Sequence, residues 1–92
     1  MKKVVINGVT YEVIRNDQEC LDTSILEEKI TDYFDPYDYI FGDYAYEKVR
    51  LKGFYESSNK SANKINDIKN LDDYIKDYCS YGCKLFLLKK VR

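Results

Sequence analysis

Three cations spaced two apart, Lys48, Arg50 and Lys52, are the feature of this sequence that comes nearest to chemistry. In an extended strand, residues at i, i+2 and i+4 share one face. Phe54 has the same parity, while Val49, Leu51 and Tyr55 fall on the opposite face. In the segment before it, Tyr37, Tyr39, Phe41 and Asp43 have one parity and Ile40 the other. A turn with an even number of loop residues brings the two sets together, and one face then carries Tyr39, Phe41, Lys48, Arg50, Lys52 and Phe54. Single-stranded nucleic acid is bound by such mixtures, with rings stacking on bases and cations following phosphates. Lys52-Gly53-Phe54-Tyr55 weakly echoes the start of an RNP1 motif, and Glu56-Ser57-Ser58 breaks the pattern. A plainer arrangement competes with this one. The rings could pack beneath a helix or a second layer, with the cations paired to Asp43 and neighbouring acids. A bulge at Gly42 would break the parity altogether.

Cys79 and Cys83 form the second constellation. On one continuous helix they would share a face, close enough for a disulfide or a shared metal. Gly82 is placed to end the helix between them. Cys20 is the only other thiol and there is no His, so the set falls short of a closed zinc tetrahedron unless carboxylates or a second chain contribute. Cys79 near a helix C-terminus lies at the wrong end of the dipole for a lowered thiol pKa. Buried structural cysteines are the reading, with a thiol-based redox or metal-linked role as the alternative. The lack of His also removes the commonest general base and every Ser-His or Cys-His nucleophile. The four glycines are scattered singly, which leaves no phosphate loop. Acid pairs such as Glu27-Glu28 and Asp72-Asp73 diverge on a helix and read as solvated surface. No catalytic residue, metal or cofactor is expected, and the balance leans away from an enzyme.

The elements that must position these residues can be read from periodicity. Asn7-Gly8 is a two-residue hairpin turn that pairs Ile6 with Val9, Val4 with Tyr11 and Lys2 with Val13. Ser24 and Glu27 fit a capping box for a helix over 24–34, with Leu26, Ile30, Tyr33 and Phe34 inward and Pro36 as its stop. Residues 37–44 and 48–55 read as strands joined near Ala45-Tyr46. The polar stretch 56–70 reads as a mobile connection anchored by Ile65 and Ile68. Asn70 is the expected N-cap of a helix through Tyr78 or Cys79, with Leu71, Ile75, Tyr78 and Cys79 inward. Residues 83–91 form a last strand, and the run Leu85 to Leu88 suggests cover on both faces.

With 92 residues and 45% apolar content, the chain has room for one folded domain, residues 1–92, with a small core. Formal charge is −1, but it divides into +2 over 1–16, −9 over 17–47 and +6 over 48–92. So acidic a middle segment is expected either to solvate itself or to pair with the basic second half, and internal neutralisation is the plainer reading. The longest apolar run, Leu85-Phe86-Leu87-Leu88, is far too short for a membrane span. Odd, unframed cysteines and a strand-like start after Met1-Lys2-Lys3 point to a reducing, cytoplasmic setting with no membrane partner.

Several blocks carry a resemblance. Tyr37-Asp38-Tyr39-Ile40-Phe41-Gly42-Asp43-Tyr44, Arg50-Leu51-Lys52-Gly53-Phe54-Tyr55, and Asp73 through Cys83 followed by Phe86-Leu87-Leu88-Lys89-Lys90 resemble the YutD-like family of small bacterial proteins. The likeness covers roughly 33–56 and 71–90. Tyr44 departs from the tryptophan expected there, although an aromatic is kept. The resemblance implies a compact bacterial cytosolic domain and transfers no activity. The expected fold is a two-layer α+β arrangement, β-β-α-β-β-α-β, with a mainly antiparallel five-stranded sheet and two helices. The expected role is a non-enzymatic binding or interaction module. Its partner would be a protein or an anionic molecule such as RNA.

Overall fold

A computed structural model of the chain describes residues 2–45, 48–78 and 84–91. Its first element is the hairpin of β1 (Lys3–Ile6) and β2 (Val9–Asn16). Asn7 and Gly8 take positive φ of 53° and 80°, the twist a two-residue turn requires. The register runs Ile6 to Val9, Val5 to Thr10, Val4 to Tyr11 and Lys3 to Glu12. The Val13 N–H reaches the Lys2 carbonyl at 2.8 Å, extending the pairing by one residue as the alternation implies.

The first helix differs from expectation in both its ends. Here α1 spans Thr23–Lys29, capped by the Asp22 carboxylate, which accepts from the Ser24 and Ile25 N–H groups, so the Ser24 capping box is not formed. Ile30 is extended, and a separate 3-10 turn follows at Asp32–Phe34. A cause lies in the hairpin turn. The Asn7 side-chain amide donates to the Glu27 and Ile30 carbonyls at 2.9 and 3.1 Å, satisfying acceptors that a helix end leaves open. Leu26, Ile30 and Phe34 are buried as the periodicity suggests, while Tyr33 points to solvent.

Next come β3 (Tyr39–Ala45), β4 (Lys48–Phe54), a 3-10 turn at Ile68–Asn70 running into α2 (Leu71–Tyr78), and β5 (Leu85–Lys90). All strands are antiparallel to their neighbours, in the order β1-β2-β5-β3-β4. The last strand therefore lies at the centre, and Leu85, Phe86, Leu87 and Leu88 are all buried. Phe86 and Leu88 join Ile6, Tyr11, Leu26, Ile30, Phe34 and Ile40 on one face. Leu85 and Leu87 join Phe41, Phe54 and Leu71 on the other. The helices thus cover opposite faces of the sheet, which corrects the two-layer expectation to three layers.

The connection 56–70, read as mobile, is hydrogen-bonded turn upon turn. Buried Asp38 accepts from the Glu56 N–H at 2.8 Å and from the Asn59 side chain at 3.1 Å. Buried Asp67 accepts from Ser57 Oγ at 2.6 Å and caps the 3-10 turn through the Lys69 N–H. Asn63 Oδ1 and Asn66 Oδ1 accept from each other's backbone N–H. Ile68 packs on the core, but Ile65 is 73% exposed and anchors nothing. Asn70 lies inside a continuous helical run and donates to the Lys64 carbonyl instead of capping.

Candidate functional site

The register between β3 and β4 decides the fate of the mosaic. Tyr39 pairs with Phe54, Phe41 with Lys52, Asp43 with Arg50 and Ala45 with Lys48. The parities do coincide, and no bulge interrupts them at Gly42. That glycine serves a different need, since the Phe86 ring of β5 occupies the space any Cβ there would fill. All the residues of the mosaic whose side chains are described therefore lie on one face of the sheet, and α2 covers much of that face.

Its cover removes the stacking platform. Phe41 and Phe54 are 1% and 0% exposed, packed edge-to-face against each other and against Tyr74 of α2. No base can reach either ring, so their assignment as ligand-binding residues is corrected to core. Tyr39 is half-buried, donates its hydroxyl to Glu56 Oε1 at 3.1 Å and lies beneath the Lys89 ammonium. Burial first, and then the Glu56 contact, push its hydroxyl pKa above the ordinary value.

The cations divide into different environments. Arg50 forms a forked pair with Asp43, Nε to Oδ1 at 3.0 Å and Nη2 to Oδ2 at 2.5 Å. Asp43 is buried, and Arg50 also reaches the Tyr78 carbonyl. The acid on the neighbouring strand thus accounts for the arginine, as the plainer arrangement held. Lys52 meets no acid at salt-bridge distance among the described residues. Its ammonium lies 5.2 Å from the Phe54 ring centroid and 5.5 Å from that of Tyr74. Lys48 is exposed at the start of β4. Beyond Lys52, a cleft of about 750 Å³ runs along α2, lined by Lys64, Ile65, Tyr74, Lys76 and Tyr78 together with Asp73 and Asp77. Tyr78, expected to face inward, is 64% exposed and leans on Tyr74 with centroids 4.8 Å apart.

Position in the sheet adds what alternation alone could not show, because β4 is an edge strand. The Tyr44 N–H bonds to the Lys84 carbonyl, so even-numbered residues of β3 turn their backbone groups to β5 and odd-numbered ones to β4. Arg50, Lys52 and Phe54 accordingly bond inward. Val49, Leu51 and Gly53 direct their N–H and C=O groups outward, where no hydrogen-bond partner lies among the described residues. Tyr55, next in the same parity, is already taken: its N–H bonds to the Asn66 carbonyl at 2.7 Å and its C=O accepts from the Ile68 N–H at 2.9 Å.

Cys79 and Cys83 lie outside the described residues, as does Gly82. Cys20 is half-buried and donates its thiol to the Leu85 carbonyl. Among the described residues, no three His, Cys, Asp or Glu side chains cluster as a metal would require, and no helix is long and apolar enough to cross a membrane.

Comparison with known proteins places these features. The family model described as "Putative antitoxin YutD-like" matches residues 5–89. The chain is 35% identical over 89 residues to a Bacillus subtilis (strain 168) protein named "Putative antitoxin YutD", covering 97% of this chain and 98% of that one. Its structure is similar to the solution NMR structure of protein YutD from B. subtilis, with a TM-score of 0.80 and 34% identity. That match covers all of this chain and 84% of the other.

Proposed function

We propose that this chain, which belongs to the YutD-like family, is a non-enzymatic module that binds an acidic protein partner through the exposed side of β4. One observation carries the reading: β4 carries Lys48 and Lys52, neither paired to an acid among the described residues, at a sheet edge while the aromatic neighbours Phe41 and Phe54 are sealed beneath α2. Charge is offered there without rings on which bases could stack, which favours carboxylates over single-stranded RNA. The name of the B. subtilis relative, that of an antitoxin, fits a protein whose object is a partner rather than a small substrate.

The test is affinity capture from a bacterial lysate treated with nuclease, comparing the unaltered chain with a Lys48→Glu, Lys52→Glu double variant whose fold is checked by circular dichroism. A protein retained by the first and lost by the second is the expected outcome. Capture that nuclease abolishes, or that survives the double charge reversal, would count against the reading.

A further inference from the structure

The free side of β4 suggests how such a partner would be held. We propose that an extended acidic segment of the partner protein adds to the sheet as a sixth strand, bonding to the outward N–H and C=O groups of Val49, Leu51 and Gly53. This rests on the preceding reading and specifies its geometry.

Three observations converge on that edge. First, it carries three N–H and three C=O groups in extended register with no partner among the described residues. Strand addition uses such groups for affinity and alternate side chains for specificity. Second, the chain already performs the operation on itself. Residues 66–68 lie parallel to the outer side at Tyr55 and make both available bonds. That rung shows the edge is competent for pairing, and it stops an incoming strand from running past Gly53. Third, the two faces of β4 differ in chemistry. Lys48, Arg50 and Lys52 flank the edge on the α2 side, whereas Val49 and Leu51, both half-buried, flank it on the α1 side. Arg50 is held by Asp43, so a strand lying alongside would set acids opposite Lys48 and Lys52 and apolar residues opposite Val49 and Leu51.

The same charges argue against a second copy of this chain. Antiparallel pairing of β4 across a two-fold axis would set its cations opposite one another, and like charges directly opposite destabilise a sheet. They also discourage indiscriminate edge pairing, a usual task of lysines on edge strands. The other edge, β1, is shorter, with four residues.

The probe is a blocked seven-residue peptide alternating glutamate and valine, titrated into the isotope-labelled chain. Binding is expected to slow exchange of the Val49, Leu51 and Gly53 amides at least tenfold. The same peptide methylated on alternate backbone nitrogens keeps its charge and should bind at least tenfold more weakly. Val49→Pro removes one outward N–H while leaving the ladder to β3, and should weaken the unmethylated peptide at least tenfold. Lys48→Glu, expected to do the same, keeps the test decisive if the proline variant fails to fold. Equal affinity for the methylated peptide would overturn strand addition while leaving the acidic-partner reading intact. Equal binding of a lysine–valine peptide, or preferential binding of a single-stranded RNA octamer, would overturn both. A dimer whose contacts run across β4 would assign the edge to a second copy and end the proposal.

Discussion

At the scale of the residue, Arg50 shows how one side chain can look like a ligand contact and act as a structural partner. Its guanidinium is half exposed, but the carboxylate it holds is buried and has no way to recover solvation if the arginine is lost. Arg50→Glu places two carboxylates against each other across β3 and β4. The expected cost is about 2–3 kcal/mol, below that of a wholly buried pair because the arginine side remains wet. Chemical denaturation reads this directly. An unchanged midpoint would show that Asp43 is satisfied by other groups. Among the described residues Lys48 and Lys52 meet no such buried acid, so reversal of Lys48 should leave stability nearly intact while changing what the surface attracts, and reversal of Lys52 should cost only its contacts with the Phe54 and Tyr74 rings. Three cations of one apparent pattern therefore separate into one that holds the sheet, one that lies over the rings of Phe54 and Tyr74, and one that is exposed.

At the scale of the element, the stretch 56–70 is where polar composition misleads. Ser, Asn and Asp favour turns because their side chains replace backbone partners, and here they do so repeatedly. The Ser57 hydroxyl, followed by the Lys69 N–H, lowers the pKa of Asp67 below the ordinary carboxylate value. A depressed carboxylate contributes stability above its unfolded pKa of about 3.9, and that contribution disappears as pH falls through the lower folded value. Ser57→Ala should therefore lower the melting temperature at neutral pH, with the difference from the parent shrinking in acid. A difference that stays constant down to acid unfolding would dissociate Asp67 from it. The hairpin register, the coincidence of β3 and β4 parities given an even turn, and the twofold cover of β5 were legible in the sequence, the first two from alternation within a few residues and the last from an unbroken apolar run. The edge position of β4, the choice of α2 as the helix that covers the rings, and the burial of Asp38 and Asp67 were not. They depend on β5 inserting between β2 and β3, a placement that no local pattern encodes. Tyr74, which closes the site, was hidden for the same reason: the helical spacing drew attention to Leu71, Ile75 and Tyr78 and assigned Tyr74 no role.

At the scale of the whole molecule, tyrosines line the seams between layers. Tyr37 donates its hydroxyl to Tyr33, and this bond, with burial added, pushes its pKa up to about 12. Burial raises the pKa of Tyr11, Tyr39 and Tyr44 as well. A group whose folded pKa is raised stabilises fully below its unfolded value and ceases to do so as pH rises through the folded one. The stability these tyrosines contribute should persist to about pH 10, and Tyr37's share should be lost progressively towards 12. Phenolate absorbance followed alongside the melting temperature will test this, since ionisation of every tyrosine near pH 10 without unfolding would contradict it.

The central position of β5 has a consequence for how the chain comes into being. Translation delivers the two hairpins first, each with a bare flank, and their common neighbour last. Until residues 85–90 have left the ribosome, neither core can close, because Phe86 and Leu88 complete one and Leu85 and Leu87 the other. Up to that point the nascent chain carries exposed apolar faces, and both cores form with the arrival of β5 between β2 and β3.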